Sequence, residues 1–187
     1  MSNPIESMEK FKNSYYENNK KNTFFKKSQK LDCAKELISS PSFNLEIALQ
    51  NTIYILGDSN KVFLNYEVFK YYAHPDNYEQ IVNYILSLFL LSISKFESFE
   101  MHININSFTI SAAERYKEII KLFMNKCMSN NTQFSKLLSI MAIYNPPNMI
   151  NEISKLLKPF VDPVVLQKLK IYGKNETPNE IKEILKN

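Results

Sequence analysis

Glycine is scarce in this chain. Its 187 residues include two glycines, Gly57 and Gly173, and no tryptophan. The P-loop and the dinucleotide-binding fingerprint both need several clustered glycines, because only glycine lets the backbone approach phosphate groups closely. The two glycines here are far apart, so the sequence does not predict a glycine-rich nucleotide site.

Arginine is almost absent as well. Arg115 stands alone beside 22 lysines. The arginine guanidinium is the group that most often binds bases and phosphates in nucleic-acid complexes. Because the chain has one arginine, we predict no nucleic-acid partner. The net charge of +4 is uneven: residues 1–40 hold 8 Lys and 5 acidic residues, or +3, which leaves +1 for the other 147. We therefore predict a basic helical N-terminal arm over residues 1–50 and a nearly neutral domain over residues 51–187.

Cysteine and histidine are rare, with two residues each. Cys33 and Cys127 form no CxxC motif; they could pair in one disulfide, but reduced thiols are typical of an intracellular protein. We expect His74, before Pro75, at the surface. No cluster of His, Cys and carboxylates has metal-ligand spacing, so the sequence predicts no metal, no other cofactor and no catalytic residues.

Long apolar runs are missing too. The most apolar stretch, residues 81–93, has 13 residues and is interrupted by polar side chains, whereas a membrane-spanning helix needs about 20. The first residues are polar and carry no secretory signal. We therefore expect a cytoplasmic protein, with membrane contact limited to the periphery.

Two lysine pairs, residues 20–21 and 26–27, flank Phe24 and Phe25 in the arm. Basic residues around aromatic side chains can bind an anionic membrane surface. The alternative, which we favour, is a helical arm whose Phe pair packs on the body, because four lysines give only a weak membrane attraction.

Alternating strands and helices follow from residue 53 onward. Apolar periodicity and turn residues predict strands at 53–56 and 62–66, which form a hairpin, and at 99–106, 137–144 and 168–172. Capping boxes predict a helix from Asp76 and one long helix from Ser111. Further helices are predicted at 149–157, after the cap Asp162, and from Thr177 to Leu185. Shorter helices are predicted at 28–39 and 43–50. Alternation of this kind predicts an α/β fold with a mixed, mostly parallel sheet flanked by helices.

Residues 99–106 alternate strictly between apolar and polar side chains. Phe99, Met101, Ile103 and Ile105 share one face, whereas Glu100, His102, Asn104 and Asn106 share the other. The polar row could form a pocket wall. The alternative, which we favour, is that it faces solvent or a covering helix.

Three motifs in the second half of the chain occur in a fixed order. They are Ile143-Tyr-Asn-Pro-Pro-Asn-Met149, Lys158-Pro-Phe-Val-Asp-Pro163 and Lys168-Leu-Lys-Ile-Tyr-Gly173. These motifs resemble the CRAL-TRIO lipid-binding domain family. Two earlier segments share the resemblance, His102-Ile-Asn-Ile-Asn-Ser-Phe-Thr-Ile-Ser-Ala-Ala113 and the hairpin Leu56-Gly-Asp-Ser-Asn-Lys-Val-Phe-Leu64. By this resemblance the chain would be a minimal, divergent member of the phosphatidylinositol-transfer-like type. The resemblance covers roughly residues 53–173. It implies a fold that encloses one hydrophobic ligand, such as a phospholipid, and binds or transfers it without catalysis.

The resemblance also implies where the ligand lies. The helix 149–157 would be a gate over an apolar pocket, with residues 158–160 as its hinge. The implied pocket and gate residues are Met149, Ile150, Ile153, Leu156, Leu157, Phe160, Met101, Ile103, Ile120 and Phe123, and the implied head-group residues are Lys168 and Lys158. The alternative is that the apolar stripe of this helix is ordinary core packing.

The chain departs from the family pattern at several positions. The phosphatidylinositol-binding members have a Thr at the position of Val165 and a Glu near the position of Lys136. Asn104 and Ser107 take the places of the Asp and the Gly of a family turn, which we therefore expect to be rebuilt in this chain. These departures leave a second hypothesis open, a pocket-less interaction scaffold that binds a protein partner through the N-terminal arm. The usage of 22 Asn and 20 Ile is typical of an AT-rich genome, such as that of a protist or a large DNA virus.

Overall fold

A five-stranded sheet organises the protein. The computed structural model describes residues 3–19, 26–129, 132–173, 176–177, 179 and 181–182. The strands lie in chain order: β1 (Ile53–Ile55), β2 (Lys61–Asn65), β3 (Phe99–Asn104), β4 (Leu138–Tyr144) and β5 (Leu169–Tyr172). The β1–β2 hairpin is antiparallel and every later pairing is parallel. The prediction of an α/β fold with a mixed, mostly parallel sheet is therefore confirmed.

Helices surround this sheet. In chain order they are α1 (Pro4–Asn18), α2 (Lys26–Ile38), α3 (Leu45–Thr52), α4 (Tyr66–Tyr72), α5 (Tyr78–Phe96), α6 (Ile110–Arg115), α7 (Lys117–Ser129), α8 (Phe134–Leu137), α9 (Ile150–Leu157) and α10 (Pro163–Gln167). Single 3₁₀ turns lie at Pro75–Asn77 and Lys158–Phe160. The last predicted helix falls mostly outside the described residues.

Side-chain caps set several helix starts. The Asp162 carboxylate accepts a hydrogen bond from the Val164 amide at 2.8 Å, as predicted. The predicted capping boxes at Asp76 and Ser111 are wrong. Thr109 caps α6, accepting from the Ala112 amide at 3.2 Å. The predicted long helix is also divided, because the backbone leaves helical geometry at Tyr116.

His74 corrects a second expectation. The residue is 9% exposed rather than at the surface. Its Nδ1 accepts a hydrogen bond from the Asp76 amide at 3.2 Å, and its backbone amide donates to Asn77 at 3.0 Å. His74 is therefore the N-cap of the turn before α5, a position that a short polar side chain usually occupies.

The described part of the N-terminal arm packs on the domain. Met8 of α1, Leu37 of α2 and Leu49 of α3 belong to the same buried cluster as the inner residues of the sheet and of α5. The side chains of residues 20–27, which include the Phe24–Phe25 pair and its lysines, lie outside the described part of the chain. In the described part, the three helices close one side of the core.

The two faces of the sheet differ in chemistry. Register places Leu64, Ile103, Ile143 and Ile171 in one row, directly opposite one another on β2 to β5. The row that points to the other face contains Phe63, His102, Ala142 and Lys170. On that second face, Ile181 and Thr177 of the C-terminal segment are both buried. The first, wholly apolar face points to the helices.

Candidate ligand cavity

A cavity of about 270 Å³ lies between the apolar face of the sheet and helices α4, α5, α7, α9 and α10. Side chains from every strand except β1 form its floor. The lining is almost entirely apolar, with Ser154 and Lys158 as its non-aromatic polar members. Its volume lies near the lower limit of about 300 Å³ for pockets that hold small ligands.

Two adjacent rows of the parallel sheet make the floor. One row is Leu64, Ile103, Ile143 and Ile171, and the next contains Met101, Met141 and Leu169. β-strands display alternate residues on one face, so a strand such as β3 supplies both Met101 and Ile103. Ile103 and Ile143 are only partly buried although they lie inside the domain, because the cavity leaves part of each side chain uncovered.

Helix α9 forms the wall nearest to the opening. Ile150, Ile153 and Leu157 recur at helical spacing and point into the cavity, and Ile153 is 3% exposed. Among the lining residues, Lys158 and Ile171 are the exposed ones. The cavity therefore opens between the end of α9 and the edge strand β5.

Most of the predicted pocket residues lie together. Those that line the cavity are Met101, Ile103, Ile120, Phe123, Ile150, Ile153 and Leu157. Three do not line it. Met149 is 51% exposed, Leu156 packs against the core, and Phe160 lies under the ammonium groups of Lys117 and Lys121, at 5.3 and 5.1 Å from its ring centre.

The two predicted head-group lysines are placed very differently. Lys158 is exposed at the cavity opening. The Lys168 ammonium donates to the carbonyl oxygens of Ser135, Lys136 and Leu138, at 2.9, 3.0 and 2.6 Å. An ammonium has three protons, so all are used. Lys168 thus fastens the α8–β4 junction to β5 and lies outside the cavity lining, and its role as a head-group residue stays a prediction.

Aromatic residues that the sequence did not single out close the other end of the cavity. Tyr66 and Phe69 of α4 pack with Phe108 and Tyr116, with Tyr66 4.8 Å from Phe108 and Phe69 5.3 Å from Tyr116 between ring centres. Burial raises the pKa of Tyr66 to about 12 and also raises the pKa of Tyr116, so both hydroxyls stay neutral. The eleven tyrosines are dispersed in the sequence, and only the position of Tyr66 directly after a strand could have indicated its role.

Three asparagines join the carboxyl ends of β2, β3 and β4. Asn145 Nδ2 donates to Asn104 Oδ1 at 3.0 Å, and Asn104 Nδ2 donates to Asn65 Oδ1 at 3.1 Å. Asn145 adopts a left-handed φ of 52°, which asparagine tolerates better than most residues. The asparagine of the Asn-x-Pro motif and the residue that replaces the family's Asp thus hold the strand ends together.

Ser107 has a left-handed backbone in the loop after β3. Its φ is 63°, in the region that favours glycine. That this turn is rebuilt relative to the family stays a prediction. Lys70 Nζ donates to the Ser107 hydroxyl at 2.8 Å across the loop.

The polar row of β3 faces away from the cavity. His102 Nδ1 lies 2.8 Å from the Tyr144 hydroxyl, and its Nε2 lies 2.9 Å from Glu100 Oε2. The imidazole also stacks on Tyr144, with 5.9 Å between ring centres. His102 and Asn104 are buried, Glu100 is half-buried and Asn106 is exposed. None of the four lines the cavity, so the row is not a wall of it, in agreement with the favoured alternative of solvent or a covering element.

Cysteine and carboxylate chemistry is limited in the described residues. Cys33 and Cys127 are both free thiols. Burial raises their pKa values to about 11 and about 12, so the thiols stay protonated near neutral pH. No group of three or more His, Cys, Asp or Glu in the described part of the chain could hold a metal ion. Of the helices described, none is long and apolar enough to cross a membrane.

Comparison with known proteins gives one family and one fold. The family model of the CRAL/TRIO domain matches residues 53–186. The fold is similar to the crystal structure of Sfh5, with a TM-score of 0.51 and 17% identity, over 78% of this chain and 55% of that one. The chain thus spans little more than half the length of Sfh5, and no curated protein matches its sequence. Since the family model covers well over half of the residues and the sheet has the expected topology, this chain belongs to the CRAL/TRIO domain family.

Proposed function

We propose that the protein binds one hydrophobic ligand, a phospholipid or a similar lipid, in the cavity and carries it to or from membrane surfaces without catalysing a reaction. The observation that carries this proposal is the apolar cavity of about 270 Å³ under α9. Each methylene that leaves water for such a cavity contributes about 0.8 kcal/mol. The cytoplasm, with peripheral membrane contact, is the compartment that fits this role.

The size of the cavity sets how much of a lipid it encloses. Its volume is at the lower end of the range for small-ligand pockets. One acyl chain fits this space better than two, because the neighbouring apolar cavity around Phe99 and Phe134 adds only about 30 Å³. A two-chain lipid would therefore require α9 to move outward.

Helix α9 has the features of a gate. Ile150, Ile153 and Leu157 cover the cavity, while Glu152 and Lys155 are exposed on the opposite side. Pro159, two residues after the end of α9, has no amide proton and so does not continue the helical hydrogen bonds. If α9 swings away, its apolar side can enter a bilayer interface, as amphipathic helices do. Lys158, at the opening, is then next to the lipid head group.

The test compares two tryptophan substitutions on one strand. Ile143→Trp places a large ring in the floor of the cavity, while the matched control Ile140→Trp adds the same ring to the cluster on the opposite face. Solvent extraction and mass spectrometry of the purified protein should find lipid in the wild type and in Ile140→Trp, and little in Ile143→Trp. Transfer of a labelled lipid between vesicles should follow the same order.

Two results would overturn the proposal. One is a wild type that yields no lipid and transfers none. The other is an equal loss in both variants with both still folded, since that would separate lipid binding from the cavity. A filled interior would have favoured the interaction scaffold, so the cavity is an argument for ligand binding over that alternative. A protein partner for the N-terminal arm stays a prediction.

A further inference from the structure

Four basic side chains from four helices converge outside the cavity. Lys12 of α1, Lys30 of α2, Lys70 of α4 and Arg115 of α6 form what we call the Arg115 cluster. Arg115 is the single arginine of the chain. The cluster lies where the N-terminal helices meet α4 and the loop before α6, so it joins the arm to the domain.

Tyrosine rings link three members of the Arg115 cluster, which are Lys12, Lys70 and Arg115. Lys12 Nζ lies 5.0 Å from the centre of the Tyr71 ring, and Lys70 Nζ lies 6.0 Å from the same centre. Lys70 also lies 5.9 Å from the Tyr66 ring, whose centre is 6.0 Å from that of Tyr116.

The Arg115 guanidinium carbon is 5.7 Å from the Tyr116 ring. These three cations, Lys12, Lys70 and Arg115, are thus arranged along a row of tyrosine rings. The ring faces attract these cations, but a ring carries no net charge and so does not neutralise them.

Arg115 has an unmet hydrogen-bonding need. Its Nε is buried and has no hydrogen-bond partner among the described residues. A buried donor without an acceptor costs free energy, and the cost is greater for a charged group.

The lysines of the cluster also act on one another unfavourably. Burial, and then the charge of Arg115, lower the pKa of Lys30. Burial is also the main cause that lowers the pKa of Lys70, with Lys12 and Lys30 adding to it. Like charges that are held together in this way are relieved by an anion placed between them.

Two carboxylates lie near the cluster. Glu9 is 3.5 Å from Lys12, and Glu67 precedes Lys70 on α4 and partly offsets the effect of the neighbouring lysines on it. The four cations outnumber these two carboxylates, and Arg115 forms no ion pair with a described residue. The net charge of the cluster therefore remains positive.

We propose that the Arg115 cluster is a second binding site, separate from the cavity, that accepts a phosphate group. Arginine and lysine are the side chains that bind phosphate most strongly, because the guanidinium and the ammonium both donate charge-assisted hydrogen bonds. A free phosphate compound and the head group of an anionic lipid offer the same chemistry of recognition, and the experiment distinguishes them.

The experiment titrates the purified protein with inorganic phosphate and with pyrophosphate by isothermal calorimetry. A second arm measures flotation with phosphatidylcholine vesicles with and without phosphatidic acid. The variants are Arg115→Gln and Lys30→Gln. The matched control is Lys121→Gln, which removes a lysine of α7 that pairs with Glu118 at 3.0 Å. Circular dichroism establishes that each variant is folded.

We expect the wild type to bind at least one of these probes, and binding to weaken as salt is added. Arg115→Gln and Lys30→Gln should each weaken it about tenfold or more, as expected for loss of a charge-assisted hydrogen bond, and Lys121→Gln should not. Binding in solution alone identifies a free phosphate compound, and binding to phosphatidic acid vesicles alone identifies a head group.

Absence of binding to every probe overturns the proposal, and so does an equal loss in Lys121→Gln. If Arg115→Gln does not fold, Lys30→Gln decides the question. Lipid extraction from Lys30→Gln keeps this test separate from that of the cavity. A variant that still carries lipid but has lost phosphate binding supports two distinct sites.

Discussion

Replacing Lys168 with methionine tests whether this lysine fastens the fold or contacts a ligand. Methionine keeps most of the side-chain volume but leaves the carbonyls of Ser135, Lys136 and Leu138 without their donor. One hydrogen bond to a charged group is worth about 1.5–3 kcal/mol. The three bonds share one partly exposed ammonium and are not additive, so we expect a loss of about 2–4 kcal/mol in the free energy of unfolding. For a chain of this size, that lowers the Tm by roughly 5–15 °C.

The assay is urea denaturation followed by circular dichroism, with two matched lysine variants. Lys170→Met changes the same strand at an exposed side chain with no hydrogen bond to a described residue, and Lys158→Met changes the cavity opening. Both should stay within about 0.5 kcal/mol of the wild type. Lys158→Met, unlike Lys168→Met, should alter lipid transfer. A stable Lys168→Met variant with weakened lipid binding would refute the structural role and restore the head-group interpretation.

Three further predictions concern single positions. Ser107→Gly should stabilise the protein by about 0.5–1 kcal/mol, because glycine adopts a φ of 63° without strain; a lower denaturation midpoint would contradict this. Ile153→Ala should cost about 2–5 kcal/mol in the free energy of unfolding, whereas Met149→Ala, at 51% exposed, should be nearly neutral; equal effects would mean that α9 does not pack as described. Cys127 should react with iodoacetamide far more slowly than a free thiol at pH 8.5, because burial raises its pKa to about 12 and keeps it protonated; unfolding in urea should restore the rate.

Local patterns predicted the features that depend on a few neighbouring residues. The alternation in residues 99–105 predicted the direction of each β3 side chain, since successive side chains of a strand point to opposite faces of the sheet. Asp162 followed by Pro163 predicted the start of α10, because a cap acts on amides two or three residues away. The failures of this kind were small: a capping box at Ser111 was proposed where Thr109, two residues earlier, is the cap.

Features that depend on distant segments were missed or misassigned. Lys168 has the position of a head-group residue in the motif, but its acceptors lie 30 to 33 residues earlier, in the turn before β4. His74 looked like a surface residue, because nothing near it in the sequence shows that α4 and α5 enclose it. The Arg115 cluster draws one residue from each of four helices, and no spacing in the sequence brings them together.

The sequence by itself determined the order of the five strands, the apolar side of α9 and membership of the family through its motifs. Each of these depends on periodicity, capping and spacing, which are properties of short segments. The tertiary structure alone decided that an empty volume of about 270 Å³ remains under α9, that Lys158 and not Lys168 stands at its opening, and that the buried Nε of Arg115 has no partner among the described residues. The physical reason is that volume, hydrogen-bond satisfaction and local charge are sums over neighbours, and most of those neighbours are remote in the chain.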